Sequence, residues 1–178
     1  MARMRAGRTT AGRKSLLALT GIAGLVATSA VLASLGLVGS PAPDFTLKSR
    51  GGKNLRLSEE IGNVVMVNFW ATWCGPCRQE MPMLDEIYER YQGAGFQLLG
   101  VNIDDDSGKA ERMATDLGVS FPLLFDNDKS VSRLYDVRAM PVTVLIDRDG
   151  VVRHVHHGYR PGFEDAYIDQ VRDLLTED

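Results

Sequence analysis

Trp70-Ala71-Thr72-Trp73-Cys74-Gly75-Pro76-Cys77-Arg78 contains both cysteines of a 178-residue chain and joins two segments of different periodicity. Before it runs Val64-Val65-Met66-Val67-Asn68-Phe69-Trp70, near-continuously apolar, as in a central strand covered on both faces. After it, from about Pro76 to Tyr91, Met81, Leu84, Ile87 and Tyr91 recur at helical spacing on one side. The cysteines therefore lie where a buried strand turns into a helix. Residues i and i+3 in a first helical turn have Cβ atoms about 5–6 Å apart, so a small adjustment gives disulfide geometry. Cys74 falls at the helix N-terminus, where free N–H groups and the helix dipole favour a thiolate. Pro76 is tolerated in that turn and stiffens it. A dithiol placed this way can open and close reversibly, the chemistry of thiol–disulfide exchange.

Two other readings of the pair are open. Cys-x-x-Cys can be half of a zinc site, with the remaining ligands drawn from His154, His156 and His157, of which His154 and His156 share a strand face. A purely structural disulfide is the other, although so short a loop constrains the unfolded chain little.

The rest of the body alternates strand and helix. Phe45-Thr46-Leu47 and Asn54-Leu55-Arg56-Leu57 flank Gly51-Gly52 and predict a small hairpin. Phe96–Ile103 is a second buried strand, and a helix around Ala110–Leu117 is stopped by Gly118. Phe121–Phe125 predicts a short strand and Ser130–Tyr135 a short helix. Val142–Ile146 and Val151–His156 are strands joined at Asp147-Arg148-Asp149-Gly150. An amphipathic helix, about Phe163–Leu175, turns Tyr167, Val171, Leu174 and Leu175 inward. This order predicts an α/β layer fold with a mixed central sheet. Asp104-Asp105-Asp106 and Asp126-Asn127-Asp128 lack the glycine and closing glutamate of a calcium loop and read as solvated loop acids. No phosphate loop or dinucleotide fingerprint is present, so no cofactor is expected.

Residues 1–40 carry five cations (Arg3, Arg5, Arg8, Arg13, Lys14) and no acid; with a net charge of −3 for the whole chain, the remainder carries −8. Such a body is not expected to bind nucleic acid. Residues 15–39 are free of charge, long enough for a membrane-spanning helix of about 20 residues and long for a secretory signal. The preceding cations, in a basic head of residues 1–14, place the N-terminus inside and the body outside. A cleaved signal, with small residues near Ala30, Ala33 and Gly36, would export the body equally. Ser40-Pro41-Ala42-Pro43 reads as a stiff spacer, and the folded body, residues 44–178, is expected to begin near Asp44.

From Pro41 to the C-terminus the chain resembles the thioredoxin superfamily, and within it the membrane-anchored TlpA/ResA-like thiol–disulfide oxidoreductases. The resemblance is carried by Ala42-Pro43-Asp44-Phe45, by Phe69-Trp70-Ala71-Thr72-Trp73-Cys74-Gly75-Pro76-Cys77 and by Met140-Pro141. It implies a thioredoxin-like three-layer fold with a mixed central sheet flanked by helices, an N-terminal hairpin and, between Asp104 and Ser130, an inserted strand and helix. It implies that Cys74 attacks, that Cys77 resolves, and that Pro141 is a cis-proline facing the cysteines and shaping substrate docking beside Met140, Gly75 and Pro76. Trp70 reads as core, and Trp73 as a surface flank of the dithiol that touches substrate. Thioredoxins carry a buried acid where this chain has Asn68, which cannot exchange a proton near neutral pH. Glu80, three residues after Cys77, matches an acid of the TlpA/ResA-like proteins and is expected to be partly desolvated, with a raised pKa, serving the cysteines as a proton donor and acceptor. An exposed helix glutamate is the bland alternative. Pro82 matches a family proline that kinks this helix.

The resemblance further implies protein disulfide substrates, a membrane thiol-electron carrier as reductant and apocytochrome c as acceptor. The Gly-Pro pair between the cysteines is that of thioredoxin, whose potential is about −270 mV against about −120 mV for a strong oxidant, and so favours a reductase. A disulfide-forming oxidant, a peroxiredoxin-like antioxidant protein and a non-enzymatic binding module are the alternatives.

Overall fold

The structure is a computed structural model that describes residues 36–177. The basic head and most of the apolar segment read as an anchor lie outside the described residues. No helix among the described residues is long and apolar enough to cross a membrane.

Seven strands form one sheet: β1 (Thr46–Ser49), β2 (Asn54–Arg56), β3 (Val64–Trp70), β4 (Phe96–Asn102), β5 (Leu123–Phe125), β6 (Val142–Ile146) and β7 (Val152–His157). Their spatial order is β2-β1-β5-β4-β3-β6-β7. β3 pairs in parallel with β4 and antiparallel with β6, so the sheet is mixed. Every residue of β3 is buried, as its apolar run requires of a strand covered on both faces.

Alternation along β3 separates two cores. Val64, Met66 and Trp70 face α1 (Gly75–Tyr91), α2 (Ser107–Asp116) and α4 (Phe163–Thr176), whose Met81, Leu84, Ala110, Ala114, Tyr167 and Val171 close that side. Val65, Val67 and Phe69 face the other way, toward Phe45, Leu57 and α3 (Ser130–Leu134) with Tyr135 beyond it. The result is three layers, with α2 and β5 forming the expected insertion. Gly118, at a φ of +70°, ends the α2 segment in a conformation that side chains other than glycine rarely adopt. Gly100 of β4 is required by packing instead, because a Cβ there would lie 2.6 Å from the Phe121 ring.

The stiff spacer expected at residues 40–43 is not loose from the body. Val152 N donates to Ser40 O at 2.9 Å, Ala42 N to Gly150 O at 2.8 Å, and the Tyr135 hydroxyl to Pro43 O at 2.8 Å. Proline removes a donor from this segment but leaves its carbonyls, and those are used. The acids at 104 and 126 are not solvated either. Asp126 is fully buried and accepts from Val131 N at 3.1 Å and Ser132 N at 2.7 Å, capping α3 from a distance in sequence. Asp104 is also buried and serves the cysteine loop.

Candidate active site

β3 ends at Trp70 and α1 begins at Gly75, so four residues carry the chain from sheet to helix. Cys74 is the N-cap of α1: its backbone is extended, and its sulfur accepts the N–H of Cys77 at 3.2 Å. That N–H is one of the donors a helix N-terminus leaves unpaired. The two cysteines form a disulfide with Cα atoms 5.3 Å apart. Cys77 is wholly buried, whereas Cys74 keeps 5% of its surface exposed. Of the two cysteines, only Cys74 reaches the surface.

The loop before Cys74 is held by Asp104. Its carboxylate accepts from Thr72 N at 2.9 Å, from Thr72 Oγ1 at 3.1 Å and from Asn102 Nδ2 at 2.8 Å. Ile103 N donates to Trp70 O at 3.0 Å. The end of β4 thus ties down the strand-to-helix junction. The sequence offered one signal for this, a polar Asn102 directly after the apolar run Leu98–Val101.

Trp70 is fully buried in the core and Trp73 is 68% exposed on the surface. Gly75 and Pro76 are exposed on the first turn of α1. The Met140–Pro141 bond is cis. Val142 pairs with Phe69, so Pro141 lies at the end of the sheet where the cysteine loop starts, with Met140 half-buried beside it.

Glu80 is more deeply placed than expected: it is completely buried rather than partly desolvated, and not an exposed helix residue. Three side chains from three elements converge on its carboxylate. Tyr167 of α4 donates to Oε1 at 2.8 Å, Asn68 of β3 donates from Nδ2 to Oε2 at 2.9 Å, and Thr143 of β6 donates to Oε1 at 3.3 Å. Asn68 Nδ2 also donates to Thr143 Oγ1 at 2.9 Å, so the hydroxyl relays one donor to the next. Burial pushes the Glu80 pKa up to about 7, against the three hydrogen bonds, which lower it. A carboxyl poised near neutrality, one helical turn from Cys77 on the same face, can take up and return a proton. Asn68 cannot replace the family acid, but it holds the acid that does occur.

His156 packs between α4 side chains. Its Nε2 lies 2.8 Å from Gln170 Oε1, and its ring meets Tyr167 edge-on at 4.9 Å, bracing the phenol that reaches Glu80. Among the described residues no group of three histidine, cysteine or acidic side chains is arranged to hold a metal ion.

Residues 38–155 match the model of the AhpC/TSA family. The thiol–disulfide oxidoreductase ResA of Geobacillus thermodenitrificans is 40% identical over 121 residues, 68% of this chain and 70% of the relative. This chain is a ResA-like member of the AhpC/TSA family. The ResA of Bacillus subtilis is 37% identical over 120 residues, 67% of each chain. Among solved structures, a candidate thiol:disulfide interchange protein DsbE from Chlorobium tepidum superposes with a TM-score of 0.75 at 39% identity, covering 78% of this chain and 97% of its own. The ResA-like fold is therefore thioredoxin-like, and the adjacent, bonded cysteine pair sets this member apart from the peroxiredoxin-like alternative.

Proposed function

We propose that the chain is an extracytoplasmic thiol–disulfide oxidoreductase working in the reducing direction. The observation that carries the exchange activity is the Cys74–Cys77 disulfide at the α1 N-terminus, with the Cys74 sulfur accepting a helix N–H, and the thioredoxin-like Gly75-Pro76 pair between the cysteines favours the reducing direction. In the reduced protein the Cys74 thiolate attacks a substrate disulfide, forms a mixed disulfide and expels one substrate thiolate. Cys77 passes its proton to the Glu80 carboxylate and attacks the Cys74 sulfur. The second substrate thiolate leaves, and the Cys74–Cys77 bond holds the oxidation the substrate has lost. Two electrons have moved from dithiol to substrate. A thiol reductant restores the dithiol by the reverse exchange, and Glu80 returns its proton.

The apolar run at residues 15–39 behind five cations supports a single-pass membrane anchor with the body on the extracytoplasmic side. Outside the cytosol the surroundings are oxidising, so the reductant is a membrane thiol-electron carrier. Its acceptor is apocytochrome c, whose haem-site cysteines must be reduced before haem attaches. Trp73, Gly75, Pro76 and Met140 form the surface that receives it, shaped from beneath by the buried Pro141. Likeness to the ResA relatives supports this choice. The test is a Cys77→Ser variant, which leaves mixed disulfides on Cys74 unresolved. Capture of apocytochrome supports the assignment; a broad range of exported proteins without it points to general disulfide handling.

A further inference from the structure

Beside the dithiol, α1 and α2 enclose an open groove of about 320 Å³ lined by Arg78, Lys109, Arg112, Met113, Asp116 and Leu117. Three of its six lining residues are cations, on a body whose net charge is −8. Arg78, Lys109 and Arg112 are among the described cations that no carboxylate holds, as are Lys48 and Lys53 of the hairpin, but only these three gather around one hollow. All three are exposed. Asp116, exposed on the same lining, offsets one of the three charges, and the net positive charge that remains is one a bound anion relieves.

The groove is continuous with the active-site surface. Arg78 directly follows Cys77, and Lys109 also lines the adjoining hollow that contains Trp73, Thr72 and the acids Asp104, Asp105 and Asp106, which are engaged by Thr72, Lys129 and the Gly108 N–H respectively. A polypeptide presenting its disulfide to Cys74 across Trp73 therefore continues over Lys109 into the groove. The floor there, Met113 and Leu117, is apolar and suits the aliphatic stems of longer acidic side chains.

We propose that this groove selects disulfide substrates carrying an acidic segment next to the reacting cysteines, with aspartate or glutamate carboxylates paired to Arg78, Lys109 and Arg112. The proposal rests on the thiol-exchange function and adds to it a basis for substrate choice.

The test uses the full-length chain, reduced, with two peptides that share one intramolecular disulfide. One carries glutamates after the second cysteine and the other glutamines. At low ionic strength the kcat/KM for the glutamate peptide is expected to exceed that for the glutamine peptide by about tenfold, as exposed charge pairs and steering allow. The preference fades in high salt. Lys109→Gln with Arg112→Gln brings the ratio near unity, while Lys48→Gln with Lys53→Gln, on the hairpin, leaves it unchanged. Lys109→Glu with Arg112→Glu turns the preference toward a lysine-bearing peptide, which a structural defect does not do. An absent preference, or one that survives the Lys109/Arg112 variants, overturns the proposal. So does loss of binding to anionic lipid vesicles in those variants with the peptide ratio intact, which assigns the groove to a membrane surface. Normal exchange with a small aromatic disulfide but no peptide preference removes the groove proposal alone; no exchange with any disulfide removes the oxidoreductase function as well.

Discussion

Tyr167 in the last helix donates its phenolic hydrogen to Oε1 of Glu80 in the first, at 2.8 Å in a buried site. The bond stabilises the ionised carboxylate, whereas desolvation opposes it. Tyr167→Phe removes the bond and keeps the ring, so the Glu80 pKa is expected to rise by about one unit, the value of a hydrogen bond to a charged group. The pH profile of disulfide exchange should move the same way. A profile unchanged from wild type would show that this hydroxyl does not tune the reacting group.

Glu80→Gln should change both rate and stability. A base with a pKa of about 7 gives exchange that rises through neutrality, and the amide variant should lack that inflection. For stability, the folded pKa lies above the ordinary glutamate value of 4.5, so the folded state binds more protons between those values. Stability is fullest below about pH 4.5 and declines as pH rises through about 7. Glu80→Gln removes this decline. Urea melts should therefore find it gaining on the wild type with rising pH, by at most about 3 kcal/mol, from about 1.4 kcal/mol per pKa unit. A gain at acid pH and none at alkaline pH would contradict this sign.

Asp104→Ala should loosen the cysteine loop. It leaves Thr72 N–H and the Asn102 amide without their acceptor in a buried position. The expected loss is about 2–3 kcal/mol by denaturant unfolding, with slower exchange. Asp104→Asn, which keeps one acceptor oxygen, should recover part of both.

Gly100→Ala should destabilise by about 1–3 kcal/mol, since the added Cβ would sit 2.6 Å from the buried Phe121 ring. Pairing it with Phe121→Leu should restore part of the loss, measured as a shift in the urea midpoint.

The elements that place the dithiol were legible because their signals are local. The apolar run of β3, the helical spacing of α1 and the turn at Asp147–Gly150 each lie within a few residues, and the structure forms all three. The surroundings of Glu80 were harder to read. Spacing put Glu80 on the side of Cys77, but its depth depends on Thr143 and Tyr167, 63 and 87 residues away. Thr143 did leave a trace, a hydroxyl in the otherwise apolar Val142–Ile146 strand, as did Asn68 within β3. The acids at 104 and 126 looked like surface loops because aspartate usually is exposed. Their burial follows from backbone donors that only the folded chain brings together.

Titration of the Cys74 thiol in the reduced protein, followed by pH-dependent alkylation with Cys77 replaced by serine, decides whether the α1 N-terminus creates the nucleophile. The structure predicts a thiol pKa well below the free-cysteine value of about 8.5, together with rapid attack on disulfides near neutral pH. A value at or above that of a free cysteine, with no exchange, would contradict it.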